Sequence, residues 1–222
     1  MKQSLLTVLV NPAAFFDNAA HEPENLRIPA LIVLAGAIVA AAHGYLLAGP
    51  TAQMMSQAMP IAGTIVVLTA VIAPVIITFI FWLIWTAIIF GISSAFKGKG
   101  TFKRLMEFVG YGYIPQIIGT LLTLIISLLY IPQVAVPSLS PADLQNPQAI
   151  QAAANALAHD PAMVAFTQIA IVISIVFLLW SANIWIFAAK SARQVPLRDS
   201  LISVMVPVLA IVVYSLYSVV ML

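Results

Sequence analysis

The sequence predicts an all-α integral membrane protein, a bundle of five transmembrane helices preceded by an N-terminal interfacial helix. Three observations predict this class. Of the 222 residues, 63% are hydrophobic and 7% charged, whereas a soluble domain is roughly half apolar and a quarter charged. Charge-free stretches cover residues 28–96, 108–142, 162–189 and 200–222. About 20 apolar residues at a rise of about 1.5 Å cross a hydrocarbon core of roughly 30 Å, so the first stretch allows two crossings and each of the others one. Lastly, these runs lack the period-two alternation of a membrane barrel strand, which leaves the helix as the way to satisfy the backbone in lipid.

Taken in order, residues 1–27 read as a cytoplasmic N-terminal interfacial segment, and residues 28–222 as the five-helix domain with an outer loop at 132–161. Within residues 2–20, Ser4, Thr7, Asn11 and Asn18 recur opposite Leu5, Leu6, Leu9 and Phe15-Phe16, the pattern of a helix lying on the membrane. Asn11 is expected to cap a restarted helix with Pro12 at its first position. The apolar run after Lys2 is too short for a cleavable signal, and Asn11-Pro12 breaks it. The spans are expected near Pro29–Ala48, Val66–Ile92, Glu107–Ile131, Ala162–Ala189 and Ser200–Met221.

Charge sorts the connections. Lys2 and Arg27 precede the first span; Lys97, Lys99, Lys103 and Arg104 lie between the second and third; Lys190, Arg193 and Arg198 lie between the fourth and fifth. The other two connections and the C-terminal tail carry no Lys or Arg. The excess of basic residues on cytoplasmic loops then orients the chain as a multi-pass cell-membrane protein, N-terminus inside and C-terminus outside. In the outer loop, Asn146-Pro147 and Asp160-Pro161 both read as helix starts, and the Ala- and Gln-rich run 148–158 as a short helix. This region is a cap, not a separate domain.

Small residues at four-residue spacing mark helix contacts in lipid, where tails are as apolar as leucine. Gly36, Ala40 and Gly44 form one such stripe, Ala87 and Gly91 a second, and Ser174, Ser181 and Ala188 a third at seven-residue spacing. They are expected to pack the bundle, with homodimer contacts the alternative. Pro74, Pro115 and Pro207 should kink their helices. Trp82, Trp85, Trp180 and Trp185 fall in the cytoplasmic halves of their spans, as interfacial anchors would.

Glu107 is the one clearly ionisable side chain inside a span. It is a functional candidate, or else the partner of Lys103 or Arg104 one turn away. His21 is expected inside, with His43 and His159 near the outer face. A partial metal site of His43, His159 and Asp160 is conceivable but not expected, and His43 is expected to hydrogen-bond near Tyr45. Asn183 reads as interhelical glue. There is no cysteine, HExxH, GxSxG or phosphate-binding glycine loop; Gly98-Lys99-Gly100-Thr101 reads as a turn. Neither catalysis nor a metal, cofactor or nucleic-acid partner is expected.

Gly100-Thr101-Phe102, followed by Phe108-Val109-Gly110-Tyr111-Gly112-Tyr113-Ile114-Pro115, resembles the signature of the Yip-domain family, multi-spanning membrane proteins named for interaction with Ypt/Rab GTPases. The opening Asn11-Pro12-Ala13-Ala14-Phe15-Phe16 resembles the start of its prokaryotic members. The resemblance implies a non-enzymatic scaffold or adaptor in membrane organisation or trafficking. Its expected partners are the lipid bilayer, a cytoplasmic protein and a second copy of the chain. Eukaryotic members carry a longer hydrophilic N-terminal region; here about 27 residues precede the first span, so a prokaryotic-type member without a Rab partner is expected. The functional core or partner surface is placed at Glu107, Gly110, Tyr111, Gly112, Tyr113 and Pro115. The alternative is a small transporter or channel using the kinked helices and Glu107, with a cavity between spans two, three and five.

Overall fold

A computed structural model describes residues 5–220 of the chain; Lys2, Ser4 and the end of the last expected span lie outside the described residues. Two short helices, α1 (Leu5–Val10) and α2 (Pro12–Ala19), precede α3 (Arg27–Ala58) and α4 (Pro60–Ala95). Then come α5 (Phe102–Tyr111), α6 (Tyr113–Tyr130), the outer helix α7 (Pro147–Ala158), α8 (Pro161–Arg193) and α9 (Leu197–Val220). Among the described residues, five helical units are long and apolar enough to cross a membrane: α3, α4, α5–α6 together, α8 and α9.

The first two spans are longer than expected. A helix of 32 residues reaches about 48 Å, well beyond a hydrocarbon core of roughly 30 Å. The expected loop between residues 49 and 65 is therefore helical, and a single extended residue, Met59, joins α3 to α4. Ala, Gln and Met in this stretch favour helix, and Pro60 forces the residue before it out of the helical region while itself starting α4. Gly44 lets the pair close up: a Cβ there would lie 2.3 Å from the Ala70 carbonyl oxygen.

Asn11 caps α2, accepting from the Ala14 N–H at 3.2 Å. The apolar side of this segment turns into the bundle. Val8, Phe15 and Phe16 are buried in the main core, with Phe16 4.8 Å from the Phe108 ring. Leu5, Leu6 and Val10 remain exposed.

At the end of the bundle remote from the basic residues, Met54 and Ala58 of α3 form a second core with Val134, Leu139, Ala153 and Leu157. Asp160 anchors this cap. Its carboxylate accepts from Ala135 N–H at 3.0 Å, joining the 134–139 segment to the start of α8, and also caps α8 through Ala162 N–H at 2.9 Å. The Ala135 bond, helped by those from Ala162 and Met163, holds the Asp160 carboxyl below the usual carboxylate range against the opposing effect of burial. A depressed folded pKa contributes stability above the unfolded value and loses it as pH falls through the folded one. The cap should therefore loosen below about pH 4, seen as faster amide exchange over 134–139. Asp160→Asn should flatten that dependence.

The small-residue stripes divide. Ser181 and Ala188 are fully buried, whereas Ser174 is exposed. Ala87 and Gly91 face outward, with no atom within 4 Å of a Cβ placed on Gly91. Asn183 is likewise exposed and is not glue between helices of this bundle. An α8 that is apolar all round gives no sequence signal of which side faces inward.

Candidate functional site

The expected third span is broken. α5 ends at Tyr111, Gly112 forms a turn, and α6 restarts at Tyr113. Pro115 accounts for the position, because it has no N–H for the Tyr111 carbonyl four residues back and its ring crowds that carbonyl. The kink expected at Pro115 thus sits one turn earlier, at Gly112. Internal prolines within α3, α4 and α9 are Pro50, Pro74 and Pro207.

Two indoles brace the break. Trp185 on α8 donates its Nε1–H to the Val109 carbonyl at 2.9 Å, and Trp82 on α4 donates to Met106 O at 3.0 Å. Both are almost fully buried, as is Trp85, whose ring centroid lies 5.0 Å from that of Trp185. These three tryptophans are therefore interior struts, not the interfacial anchors expected; Trp180 alone of the four is exposed. The glycines make room for this packing. A Cβ on Gly112 would lie 2.0 Å from Trp185 Nε1, and one on Gly110 2.6 Å from Pro29 Cβ. Gly119 faces Phe177 of α8 in the same way, at 2.8 Å.

Below the break, Thr101 caps α5 by accepting from Arg104 N–H at 3.0 Å, while its hydroxyl donates to the Glu24 carboxylate. Arg104 is the hub. Its guanidinium pairs with Glu107 at 3.0 Å and donates to the carbonyls of Ala19 and Glu22. It also lies 5.3 Å from the Phe108 ring centroid. Glu107 is buried, and the pair at i,i+3 leaves little net charge in the span. Lys103 pairs instead with Glu24 at 3.8 Å. Glu107 and Tyr111 line a polar cleft of about 410 Å³ together with Glu22, Glu24, Asn25 and Arg27. Tyr111 packs edge-on against Phe15, with ring centroids 5.1 Å apart.

The six residues singled out in the sequence are therefore split by the break. Glu107, Gly110 and Tyr111 belong to the basic end, Gly112 and Pro115 make the turn, and Tyr113 points elsewhere. Tyr113 lines a separate cavity of about 250 Å³ within the bundle, bounded by all five spans. Gly36 and Ala40 line it too, and a Cβ on Gly36 would meet Ile117 at 3.2 Å. No Asp, Glu, Lys, Arg or His side chain lines this cavity.

The main feature missed in the sequence is Arg193. Its guanidinium is buried and donates four hydrogen bonds: to Ser93 Oγ at 3.0 Å, Ser94 Oγ at 3.0 Å, Gly98 O at 2.8 Å, and Gly100 O. Its Cζ sits 3.9 Å from the Phe90 ring centroid. The Gly98–Thr101 turn, entered through Lys97 in the left-handed region (φ 61°), is the receptor for this side chain. Asp17 on α2 adds a second tie, accepting from Ser191 at 2.7 Å and pairing with Lys190 at 3.6 Å. Near the opposite end, the His43 ring lies 6.1 Å from Phe166 and its Nε2 has no hydrogen-bond partner, while Tyr45 is exposed. Among the described residues no three His, Cys, Asp or Glu side chains cluster as metal ligands would.

A family model described as the Yip1 domain matches residues 6–219. The chain is 35% identical over 125 residues to an uncharacterized protein of Methanocaldococcus jannaschii, covering 54% of this chain and 86% of that one. No solved structure matches it significantly.

Proposed function

The chain belongs to the Yip1 domain family, and we propose that it works as a non-enzymatic scaffold or adaptor whose basic end faces the cytoplasm and docks a partner there. The observation that carries this reading is the construction of that end. Three segments far apart in sequence are fastened into one surface: α1–α2 through Asp17 and Arg104, the α4–α5 turn through Arg193, and the α8–α9 connection. Arg104 and Arg193 are consumed by this fastening, whereas Lys97, Lys99 and Arg198 stay exposed on it. A rigid surface displaying cations beside anionic headgroups suits acidic partners and the inner leaflet. Glu107 is paired with Arg104 and does not line the intramembrane cavity, which favours this reading over a permeation path.

Cross-linking in native membranes tests the reading. Adducts with a cytoplasmic protein, or with a second copy, should fall at least about tenfold in Lys97→Glu/Lys99→Glu/Arg198→Glu, since each exposed charge near a surface is worth about 1 kcal/mol. Adducts that are absent, or unchanged by charge reversal, would remove the proposal. The transporter alternative has its own test. Proteoliposome ion flux should stay at background for both the wild type and Glu107→Gln; a flux abolished by that substitution would restore it. Single cysteines at Lys97 and Gln148 should label from opposite sides of the membrane, that at Lys97 from the cytoplasm.

A further inference from the structure

The polar cleft at the basic end contains a buried hydroxyl that the protein leaves without a partner. Tyr111 is 7% exposed and lines the cleft, and its hydroxyl makes no hydrogen bond among the described residues. Buried polar groups are normally bonded, so an exception calls for an explanation. His43 Nε2 and Trp85 Nε1 are also unpartnered but are sealed off, whereas the Tyr111 hydroxyl keeps surface open to the cleft. A ligand atom can touch it.

The walls define the chemistry of that atom. The link between α2 and α3 supplies Glu22 and Glu24, the first turn of α3 supplies Arg27, and α5 supplies Glu107 and Tyr111. Much of this charge is already fixed. Glu24 accepts from Thr101 and pairs with Lys103, and Glu107 Oε2 is taken by Arg104. The Glu22 carboxylate, by contrast, has no ion pair or hydrogen bond among the described residues. The charges that bear on the Tyr111 hydroxyl are those of Glu107 and Glu22, both negative. Arg27, the one cation of the lining, is exposed and is not among them. A group seated against this hydroxyl must therefore bring positive charge and hydrogen-bond donors. A metal ion does not fit, because no three carboxylate or imidazole side chains stand together as ligands among the described residues. An ammonium does fit, since its three donors match one phenol oxygen and two carboxylates.

We propose that this cleft binds the ammonium group of a small primary amine, whose N–H groups donate to the Tyr111 hydroxyl oxygen and to the carboxylates of Glu22 and Glu107. The same chemistry serves a soluble amine and one carried on a lipid headgroup. A volume of about 410 Å³ lies within the roughly 300–1,000 Å³ of small-molecule pockets.

The test is equilibrium dialysis of the full chain in detergent against radiolabelled ethanolamine. The wild type should bind one molecule per chain, saturably. Tyr111→Phe keeps the ring against Phe15 and removes the hydroxyl, and should weaken binding about fivefold, the worth of one hydrogen bond. Glu22→Gln changes an exposed, unpartnered side chain, so it should leave the thermal midpoint unchanged and weaken binding about tenfold, as loss of a charged bond does. Choline, whose trimethylammonium carries no N–H, should fail to displace the label. Dihexanoyl phosphatidylethanolamine separates the two sources. Displacement at lower concentration than unlabelled ethanolamine supports the proposal with a lipid headgroup as the occupant; weaker displacement supports it with a soluble amine. Absence of saturable binding would overturn the proposal. So would binding that both variants leave intact, or displacement by choline as effective as by ethanolamine, because the cleft would then attract any cation without reading its N–H groups.

Discussion

Arg193→Ala should lower the thermal midpoint of the purified protein by roughly ten degrees, the largest effect expected of any side chain at the basic end. The guanidinium bonds two hydroxyls and two carbonyls on the α4–α5 turn and covers the Phe90 ring. Truncation leaves the carbonyls of Gly98 and Gly100 without this donor in a part-buried place. An unsatisfied group of this kind costs about 1–3 kcal/mol. Water will reach some of them, so a net loss of about 3–4 kcal/mol is expected, and each kcal/mol shifts a chain of this size by about 2–4 °C. Arg193→Lys separates geometry from charge. A single ammonium cannot span four acceptors arranged around a planar fork, so lysine should recover less than half of the loss. If alanine melts within two degrees of the wild type, the turn is not held by this residue, and the rigid basic surface loses its main fastening. The same variant should speed proteolysis between residues 96 and 101 before any other site.

The spans were legible because lipid leaves a chain so little choice: an uncharged run of sufficient length can only be a crossing. Local caps were legible for a related reason. Asn11-Pro12, Asn146-Pro147 and Asp160-Pro161 satisfy backbone N–H groups two or three residues away, and each caps a helix as expected. What the sequence hid is long-range. Arg193 counts in a reading of loops as one more cytoplasmic charge, yet its acceptors lie 93 to 100 residues distant. Trp82, Trp85 and Trp185 have the composition and depth of interfacial anchors; only the fold shows that a helix break stands opposite them, with carbonyls for two of the indoles. The faces of α8 were illegible in principle, since an inward Ser181 and an outward Asn183 look alike in a helix that is apolar on every side. The Glu107 ion pair, by contrast, follows from i,i+3 spacing alone.

Gly112→Ala should cost about 3–5 kcal/mol, and the same change in a Trp185→Ala background should cost far less. Gly112 has an ordinary backbone conformation, φ −68° and ψ −5°, so conformational freedom is not why a glycine is needed. Close approach is. The added Cβ would stand 2.0 Å from Trp185 Nε1 and 2.3 Å from its Cδ1. The indole cannot swing aside cheaply, because it donates to Val109 O and is wedged between Trp85 and Tyr113, with centroids 5.0 and 6.1 Å away. Overpacking typically costs about 1–3 kcal/mol, and an indole pushed off its acceptor adds the penalty of an unpaired buried donor, about 1–3 kcal/mol more. Contact between the two residues makes the effects non-additive, and a double-mutant cycle reads the coupling directly. With Trp185 truncated, the three closest atoms to the methyl group are gone and this clash vanishes, so a coupling of at least about 2 kcal/mol is expected. Additive losses would show instead that Gly112 is required by the turn itself. In that case the join between α5 and α6, and not the α6–α8 contact, would be the element that positions Tyr111 toward the basic end and Tyr113 toward the cavity.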